Sequence, residues 1–326
     1  MMYRMGHCTY ETGLGTDIVD SGLCCGCGTC AAICPKVGDI RKYNPLMPRH
    51  LLGTAEADGD EVCERCLEVC PMRNRALGEG IGPVVSAWRA RATDPDILSR
   101  CQDGGACTAF LRSLNGMVPL GISSKEGMPL PVMGAPMECM GTKYGATASL
   151  SFLSRKTRDV AFVGLPCQLT GIELSQRHGL LDSIKLRIGL FCTRNFHHRE
   201  LEKTLEREGV DTGDVDKIEI RGKLIVSMKN GERTTFPLSR FDNCVLDGCR
   251  TCQDLCCFNG DIAFGSLGSD DGYTTVLIRN EKAQMLFDDA IQRGFIKADD
   301  KIDMDLIVRS QEIKRVQNGQ AHNDRP

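Results

Sequence analysis

The arrangement of the cysteines constrains this chain more than any other feature of its sequence. Cysteine occupies 19 of the 326 positions. One run, Cys24-x2-Cys27-x2-Cys30-x3-Cys34-Pro35, spaces four cysteines by two, two and three residues before a proline. In bacterial ferredoxins a run of this spacing gives three thiolates to one iron–sulfur cluster and the fourth thiolate to a second cluster. The spacing therefore predicts an N-terminal domain with two 4Fe-4S clusters.

A second cysteine group downstream closes, like the first, in Cys-x3-Cys-Pro. Because the closing cysteine of each group joins the cluster of the other group, each cluster draws ligands from both. Counted backward from Cys70, the place of the remaining ferredoxin cysteine is taken by Asp60. A carboxylate is a harder ligand than a thiolate, so we expect an iron atom held by Asp60 to be more labile. The predicted ligands are Cys24, Cys27, Cys30 and Cys70 for the first cluster, and Cys34, Cys63, Cys66 and Asp60 for the second.

Several other ligands compete with Asp60 for this second cluster. Cys8 and Cys25 are rivals, and so are a water molecule and a cluster with three irons in place of four. Cys25 does not simply replace Cys24, because only Cys24 has the two-residue spacing to Cys27. The fourth ligand therefore stays open on the sequence alone.

Disulfides and zinc are the other common uses of clustered cysteines, and neither matches this pattern. A disulfide framework is typical of short secreted chains, whereas no signal-peptide pattern precedes Cys8. Zinc sites favour separate Cys-x2-4-Cys pairs over one run of four. We therefore expect the thiols to face a reducing cytoplasm, and clusters of this type to favour an anaerobic cell.

The overall composition narrows the class of protein further. With 41% apolar residues over 326 positions, the chain is long enough for two domains. A formal net charge of -3 and an aromatic content of 5% argue against binding to nucleic acid. No apolar stretch reaches the roughly eighteen residues that a membrane helix needs. The expected location is cytoplasmic, with peripheral attachment to a membrane complex as one option.

A Gly/Pro-rich stretch at 76–83 divides the chain. Residues 1–80 are predicted to form a ferredoxin-like domain, and residues 311–326 a frayed polar tail. Between them, residues 81–310 alternate β-branched runs with helical patterns, which indicates a larger α/β domain with a largely parallel centre. The predicted strands are 84–90, 160–165 and 186–191, and the predicted helices are 104–114, 166–178 and 197–207.

A hairpin signal in the second domain predicts that its sheet is mixed. Asn230-Gly231 separates the strand-like runs 223–229 and 234–237. Asn-Gly between two such runs favours a tight hairpin turn. The predicted fold class is therefore mixed α/β, with antiparallel pairing beside a parallel centre.

Two polar segments with glycines are candidates for holding a phosphate-bearing cofactor. Segment 102–105 precedes a predicted helix, where glycines admit a phosphate and the helix start offers free N–H groups; a helix cap is the alternative. Segment 141–145 offers a hydroxyl, a cation and an aromatic face suited to an isoalloxazine and its diphosphate, with a solvated turn as the alternative. The residues concerned are Gln102, Asp103, Gly104 and Gly105 in the first segment, and Thr142, Lys143 and Tyr144 in the second.

Four more cysteines fall where cofactors are held in open α/β sheets. Cys167 and Cys192 each follow a predicted buried strand, so they emerge at corresponding strand ends. Cys249-x2-Cys252 supplies two further thiols. Four thiolates suit a third 4Fe-4S cluster beside the pocket that the glycine turns would form. The rival thiols are Cys244, Cys256 and Cys257.

In these motifs the sequence resembles the coenzyme F420 hydrogenase/dehydrogenase beta-subunit family. The resemblance spans roughly residues 20–300 and rests on many motifs in order. The motifs are Gln102-Asp103-Gly-Gly, Gly141-Thr-Lys-Tyr144, Gly164-Leu-Pro-Cys-Gln168, Cys192 with Phe196-His197-His198, Cys249-x2-Cys252-x-Asp254, and Asp261-Ile-Ala-Phe-Gly265 with Gly268-Ser269-x2-Gly272-Tyr273.

The resemblance implies an FAD in the α/β domain, a 4Fe-4S cluster beside it, and coenzyme F420 as the substrate that exchanges hydride with the flavin. By position, the cluster ligands it implies are Cys167, Cys192, Cys249 and Cys252. The cofactor-binding residues it implies are Gln102, Asp103, Gly104, Gly105, Thr142, Lys143, Tyr144, Pro166, Asn195 and His197. Near the start of the helix at 197–207, His197, His198, Arg194 and Arg199 are candidates for meeting the anionic tail of the coenzyme, or for a plain solvated helix start.

The sequence also departs from the family pattern. Asp60 stands where relatives have a cysteine, and four extra thiols have no assigned role. For these four, Cys101, Cys107, Cys256 and Cys257, we expect simple packing in the core.

The expected function follows from the electron chemistry of these cofactors. A deazaflavin carries electrons in pairs as hydride, whereas a 4Fe-4S cluster accepts one at a time, so FAD is expected to stand between them. No protein group is expected to be a catalytic acid or base. Two rivals are another reductase on the same scaffold and a flavin-free electron-transfer subunit. The partner is expected to be another oxidoreductase subunit, from a formate dehydrogenase, a hydrogenase, a heterodisulfide reductase or a complex-I-like arm.

Overall fold

The structure is a computed structural model that describes most of the second domain and parts of the first. It describes residues 14, 17–18, 21–33, 65–74, 80–125, 128–141, 143–145, 147–153 and 157–323. Among the predicted site residues, Cys34, Asp60, Cys63 and Thr142 lie outside this described part, as does the rival ligand Cys8.

The described part of the chain alternates short helices and strands. The helices are α1 Thr29–Ile33, α2 Arg65–Glu68, α3 Pro95–Arg100, α4 Ala106–Ser113, α5 Pro166–Arg177, α6 His198–Arg207, α7 Asp247–Arg250, α8 Glu281–Gln292 and α9 Met304–Asn323. The strands are β1 Ser86–Ala92, β2 Val118–Lys125, β3 Met128–Met133, β4 Val160–Gly164, β5 Ile184–Leu190, β6 Val215–Ile220, β7 Lys223–Met228, β8 Arg233–Pro237, β9 Ile262–Gly265, β10 Thr274–Ile278 and β11 Ile296–Asp299.

Eight of these strands form one mixed sheet in the order β11-β1-β10-β9-β5-β4-β2-β3. Its centre is parallel, because β4 pairs in parallel with β2 and with β5, and β5 pairs in parallel with β9. The outer pairs are antiparallel. The predicted mixed α/β fold with a parallel centre is confirmed.

The remaining three strands form a small antiparallel sheet, β6-β7-β8. Gly231 lies in the turn between β7 and β8 with φ +89°, a conformation that glycine adopts without steric penalty. The hairpin predicted at Asn230-Gly231 is therefore confirmed.

The large sheet is covered by helices on both faces. In β4, Ala161 and Val163 pack in one cluster with residues of α4 and α8, whereas Val160 and Phe162 pack in another with residues of α5. Successive residues of a strand point to opposite faces, and every residue of β4 is buried. This explains why the sequence reads here as a continuous apolar run.

The N-terminal cysteine loop lies directly on the α/β domain. A Cβ built on Gly28 would lie 2.9 Å from the backbone of Ala148, and one on Gly171 of α5 would lie 2.0 Å from Thr29 Oγ1. Close approach of this kind needs glycine on one side of each contact. The loop that carries the first cysteine run is thereby fixed against α5 and its surroundings.

The predicted frayed tail at 311–326 is wrong for most of its length. The helix α9 continues to Asn323, and Gln311 and Lys314 on it are buried. Both are held by hydrogen bonds to the loop that follows α7. Tertiary contacts order a segment whose polar composition alone predicted disorder.

Candidate iron–sulfur and flavin site

Four thiols predicted to hold a cluster line one pocket. They come from four points in the chain: the start of α5, the end of β5, the helix α7 and the loop after it. The pocket contains roughly 350 Å³ of space, part of it open to solvent. We call it the inner pocket; it is lined by Cys25, Leu165, Pro166, Cys167, Cys192, Thr193, Arg194, Asn195, Cys249, Cys252 and Lys314.

The parallel centre of the sheet explains why two of these thiols meet. Strands β4 and β5 run side by side in the same direction, so the residues that follow them emerge at the same edge. Cys167 lies in the first turn of α5, directly after β4, and Cys192 follows β5. The N–H of Cys192 donates to the carbonyl of Leu255 at 3.0 Å, which ties this edge to the loop after α7.

Of the four thiols predicted to hold a cluster, Cys249 is buried and the other three are half-buried, and they lie close enough to interact. Burial, together with the neighbouring Cys252 and Cys167, raises the pKa of the Cys192 thiol to about 12, although Lys314 opposes this. Burial also raises the pKa of Cys249, together with Cys192, Cys167 and Cys252. Without a metal, the raised pKa values favour the protonated forms of Cys192 and Cys249. Iron binding requires the thiolates, so it must displace their protons.

A lysine that the sequence did not single out completes this pocket. Lys314 Nζ donates to the carbonyl of Cys192 at 2.6 Å and to that of Asp254 at 2.7 Å, and it lies 3.8 Å from Cys252 Sγ. Burial alone would lower its pKa, but the negative charge available on Cys252, Cys192 and Asp254 raises it. Lys314 therefore places a positive charge among the thiols.

Two more residues of α9 hold the loop that carries Cys249 and Cys252. Gln311 accepts from the N–H of Leu255 at 2.9 Å and donates to the carbonyl of Gln253 at 2.7 Å. Asn318 donates to the carbonyls of Cys249 and Cys252 at 3.2 and 2.5 Å. With Lys314, they form one face of the helix. No cysteine, glycine or charge pattern in the sequence marks this face.

The rival thiols lie elsewhere. Cys244 interacts with the hydroxyl of Thr204 and packs against the small sheet. Cys256 and Cys257 are fully buried in the core beside α5, and Cys257 donates to the carbonyl of Leu190 at 3.1 Å. Neither Cys256 nor Cys257 is among the residues that line the inner pocket. The expectation that these two thiols pack in the core agrees with their burial.

The remaining extra thiols pack against the core beside α4. Cys101 donates to the carbonyl of Asp103 at 2.8 Å, and both Cys101 and Cys107 contact the apolar cluster there. Burial raises the pKa of Cys107 to about 12. These surroundings suit the core-packing role expected for them.

A second group of thiols forms around the N-terminal cysteine run. Cys24 interacts electrostatically with Cys27 and Cys70, and Cys30 interacts with all three of these thiols. We call Cys24, Cys27, Cys30 and Cys70 the outer thiol group. Burial raises the pKa of Cys24 to about 12. The fold therefore brings together the four residues that the spacing assigned to the first ferredoxin cluster.

Cys25 lies between the two groups of thiols. It is within hydrogen-bonding reach of Cys167 in the inner pocket and of Cys27 in the outer thiol group. The hydrogen bond from Cys25 lowers the pKa of Cys27 to about 7, with help from Thr29. Cys24 also interacts with Cys167. The two groups of thiols are thus direct neighbours.

Close contacts inside the protein explain why the segment 102–105 contains glycines. A Cβ on Gly104 would lie 2.5 Å from the carbonyl oxygen of Ala90, and one on Gly105 would lie 2.5 Å from Ile97 Cγ2. Gly105 also has φ +68° as the residue before α4. Packing of the protein against itself thus requires both glycines, whether or not a phosphate binds there.

Polar side chains of the same segment face the small sheet. Asp103 forms an ion pair with Arg221, and burial raises the Asp103 pKa although Arg221 opposes this. Gln102 is hydrogen-bonded to Tyr144, but its Oε1 is buried without a partner among the described residues. Gln102 thus keeps one acceptor available in an enclosed place.

Lys143 and Tyr144 are both half-buried and form hydrogen bonds within the protein. Lys143 Nζ donates to the carbonyls of Cys139, Met140 and Gly141 at 2.9, 2.7 and 3.1 Å. Burial lowers its pKa to about 8. The hydroxyl of Tyr144 accepts from the N–H of Ile220 at 3.0 Å, and burial raises its pKa to about 12.

The other predicted cofactor-binding residues lie at helix starts near the inner pocket. Pro166 begins α5, and Asn195 Oδ1 accepts from the N–H of Phe196 at 2.9 Å. The Asn195 N–H is directed at the Cys249 thiol. His197 is the residue before α6, and its N–H donates to the carbonyl of Cys244 at 2.7 Å.

Two features are absent from the described residues. No set of three or more His, Cys, Asp or Glu side chains there is spaced to share a single metal ion. A 4Fe-4S cluster offers four separate iron atoms, so its ligand sulfurs stand farther apart than the ligands of one ion. No helix in this part of the chain is long and apolar enough to span a membrane.

Comparisons with known proteins identify the family. The family model that describes the C terminus of the coenzyme F420 hydrogenase/dehydrogenase beta subunit matches residues 157–303. A protein of Methanosarcina mazei that is named as one of the subunits of its F420H2 dehydrogenase is 30% identical over 329 residues, covering 93% of this chain and 92% of that protein. The chain belongs to the coenzyme F420 hydrogenase/dehydrogenase beta-subunit family.

Other relatives differ in how much of their length the chain matches. The coenzyme F420-dependent sulfite reductase of Methanocaldococcus jannaschii is 32% identical over 84% of this chain, which spans 47% of that protein. A chain of the F420-reducing NiFe hydrogenase complex of Methanosarcina barkeri superposes with a TM-score of 0.70 at 28% identity, covering 76% of this chain and 94% of that one. The family fold is therefore shared well beyond the segment matched by the family model.

Proposed function

We propose that the chain is a coenzyme F420-dependent oxidoreductase subunit that binds FAD and 4Fe-4S clusters. Coenzyme F420 is the substrate that exchanges hydride, and a partner oxidoreductase subunit exchanges single electrons. One observation carries the proposal: Cys167, Cys192, Cys249 and Cys252 line a single pocket that adjoins the outer thiol group.

The donor set of the inner pocket fits a 4Fe-4S cluster. Its four thiols are soft ligands of the kind that iron–sulfur clusters use. They come from separate elements, so the fold holds them in place before a cluster is bound. Lys314 adds a positive charge that favours their thiolate forms.

The surroundings of Gln102 fit a flavin. A buried amide oxygen without a partner is costly to leave unpaired, and Gln102 Oε1 is such an acceptor among the residues that the structure describes. Tyr144, which contacts Gln102, interacts electrostatically with Cys192 of the inner pocket. An imide N–H of an isoalloxazine ring is a donor that Gln102 Oε1 would accept.

The residues of this chain orient and enclose the cofactors and the substrate, whereas the cofactors carry the chemistry. Bound FAD supplies the conversion between a two-electron hydride and single electrons. Pro166 and Asn195 hold the Cys167 and Cys249 sides of the inner pocket, and Gly248 lets the outer thiol group approach it. Arg194 lines the pocket but forms an ion pair with Asp242, so it would meet an anionic substrate only by exchanging that carboxylate for the substrate.

Anaerobic titration of the reconstituted protein with reduced coenzyme F420 tests the proposal. Bleaching of the flavin absorption, followed by reduction of the clusters, is the expected result. Protein that carries a flavin which reduced coenzyme does not bleach would contradict the proposed substrate. Protein without acid-labile sulfide would contradict the proposed clusters.

A flavin-free electron-transfer subunit is the second candidate function. It is favoured by the finding that Gly104, Gly105 and Lys143 are all accounted for by contacts inside the protein. The two candidates differ in colour after cluster removal: a flavoprotein stays yellow when its iron is chelated, whereas a flavin-free subunit turns colourless.

The proposed partner is another subunit of an oxidoreductase complex. Relatives are named as subunits of an F420H2 dehydrogenase, of coenzyme F420 hydrogenases and of an F420-dependent formate dehydrogenase. Because the clusters of this chain need a donor or acceptor for single electrons, a bound partner completes the reaction. Co-purification from native cells under anoxic conditions identifies it.

A further inference from the structure

One cation in the inner pocket has no part in the electron path described above. Lys314 is 8% exposed. Its ammonium makes three contacts, to the carbonyls of Cys192 and Asp254 at 2.6 and 2.7 Å and to Cys252 Sγ at 3.8 Å. A lysine ammonium has three N–H donors and no acceptor. The three acceptors around it match a charged amine.

The buried charges near Lys314 do not balance. Asp254 is buried beside it, but its carboxylate accepts the N–H groups of Cys257 and Phe258 at 2.7 and 3.0 Å. Arg279 is a second buried cation near the same carboxylate. These three ionisable side chains carry two positive charges and one negative charge. Burying an uncompensated charge is costly, so the excess positive charge calls for negative charge on the thiol side of the inner pocket, which thiolates bound to iron would supply.

We propose that Lys314 is a positioning residue whose fixed charge raises the reduction potential of the cluster in the inner pocket; this rests on the proposed function, which puts a cluster there. Reduction adds one electron, and therefore one negative charge, to the cluster. A positive charge in contact with a ligand sulfur stabilises the reduced form more than the oxidised form, because attraction grows with the charge on the cluster. The potential of such clusters responds to nearby charge and to hydrogen bonds at sulfur.

Lys314, which carries this charge, belongs to the helix α9. That helix lies beyond residues 157–303, where the family model matches. Gln311 and Asn318 on the same face hydrogen-bond to the loop that carries Cys249 and Cys252. The helix therefore places Lys314 while it holds the loop.

Potentiometric titration of the anoxic full-length protein, with dithionite as reductant and electron paramagnetic resonance as readout, tests the role of Lys314. The signal of the inner cluster is assigned as the one that Cys167→Ser removes. In Lys314→Met we expect this signal to titrate at a more negative potential than in the wild type. Lys314→Arg keeps the positive charge, so we expect its inner cluster to titrate close to the wild-type potential.

A matched control separates local charge from net charge. Arg315 is the next residue of α9 and is exposed, so Arg315→Met removes the same charge from a position screened by water. We expect no shift in this control. Lys314→Gln is a second neutral variant that keeps two N–H donors for the carbonyls of Cys192 and Asp254.

Each outcome decides one of the two proposals. If a neutral variant keeps its inner cluster and the potential of that cluster is unchanged, the proposed role of Lys314 is overturned. The same role is overturned if the inner cluster is lost in Lys314→Arg as well as in both neutral variants. Cluster loss in both neutral variants with retention in Lys314→Arg supports the charge. If the wild type and Cys167→Ser give the same signals, so that no signal depends on Cys167, there is no inner cluster on these ligands. That outcome overturns the cluster and, with it, the proposed function.

Discussion

Gly248 packs against the backbone of Leu23 so closely that a Cβ on Gly248 would lie 2.4 Å from the Leu23 carbonyl oxygen and 3.0 Å from the N of Cys25. Gly248 precedes Cys249 of the inner pocket, and Leu23 precedes Cys24 of the outer thiol group. This contact therefore sets how near the two groups of thiols lie. Electron transfer between clusters depends on such nearness.

Gly248→Ala is expected to push the two thiol groups apart. Overpacking a rigid backbone contact costs about 1–3 kcal/mol. We expect a lower Tm under anoxic conditions and slower reduction of the outer cluster after the inner one. Rapid-mixing absorbance with reduced coenzyme F420 measures the second effect. An unchanged rate and an unchanged Tm would show that the contact does not matter.

Gly319→Ala is expected to stabilise the protein, because α9 is a helix and not a tail. A Cβ on Gly319 would meet Gln253 Nε2 at 3.5 Å, an ordinary contact. Alanine is favoured over glycine in a helix by about 0.5–1 kcal/mol. The expected rise in Tm is absent if the segment is frayed, and the variant also serves as the space-neutral control for Gly248→Ala.

Cys167→Ser and Cys192→Ser are each expected to remove the inner cluster. Iron and acid-labile sulfide per chain are expected to fall by about one third, since one of three clusters is lost. Cys244→Ser is the control, because Cys244 is a buried thiol that interacts with Thr204 away from the pocket. Equal iron in Cys167→Ser and wild type would remove these thiols from the ligand set.

Glu173→Gln is expected to weaken the attachment of α5 to the sheet in a pH-dependent way. Burial would raise the Glu173 pKa, but Arg187 and Arg177 together lower it from 4.5. A lowered pKa means that the ionised group stabilises the fold above about pH 4.5 and that this contribution is lost as the pH falls further. At neutral pH we expect a loss of about 1 kcal/mol, discounted for partial exposure.

The pH dependence of this loss is the test of its cause. Denaturant titrations of Glu173→Gln and wild type are expected to differ at pH 7, to approach each other as the pH falls below about 4.5, and to converge only below the lowered folded-state pKa of Glu173. Glu312→Gln, at an exposed position of α9, is the control. A difference that persists at acidic pH would assign the effect to shape and not to charge.

Local patterns predicted most of the elements near the site. The strands β4 and β5 and the helices α5 and α6 begin and end within a few residues of their predicted bounds. Each has a strong local signal, such as the continuous apolar run of β4. The hairpin at Asn230-Gly231 was predictable for the same reason, since the turn type depends on two adjacent residues.

The helix α9 could not be predicted by hydrophobic periodicity, because its pattern is reversed. Gln311 and Lys314 are buried on it, whereas Ile313 and Val316 are 55% and 50% exposed. Periodicity assigns apolar residues to the buried face. Here the buried face meets backbone carbonyls of the loop after α7, so it needs hydrogen-bond donors.

Spacing alone assigned Cys24, Cys27, Cys30 and Cys70 to one cluster, because cluster ligands follow fixed spacings. Strand ends and a Cys-x2-Cys pair indicated Cys167, Cys192, Cys249 and Cys252 for another cluster, but left Cys244, Cys256 and Cys257 as rivals. Tertiary structure alone decided that the inner and outer thiols are neighbours, that the glycines before α4 serve packing, and that a lysine from the C-terminal helix enters the inner pocket. These relationships depend on contacts between residues far apart in the chain. Their energies arise only when the fold removes the surrounding water and forces each buried donor, acceptor and charge to find a partner.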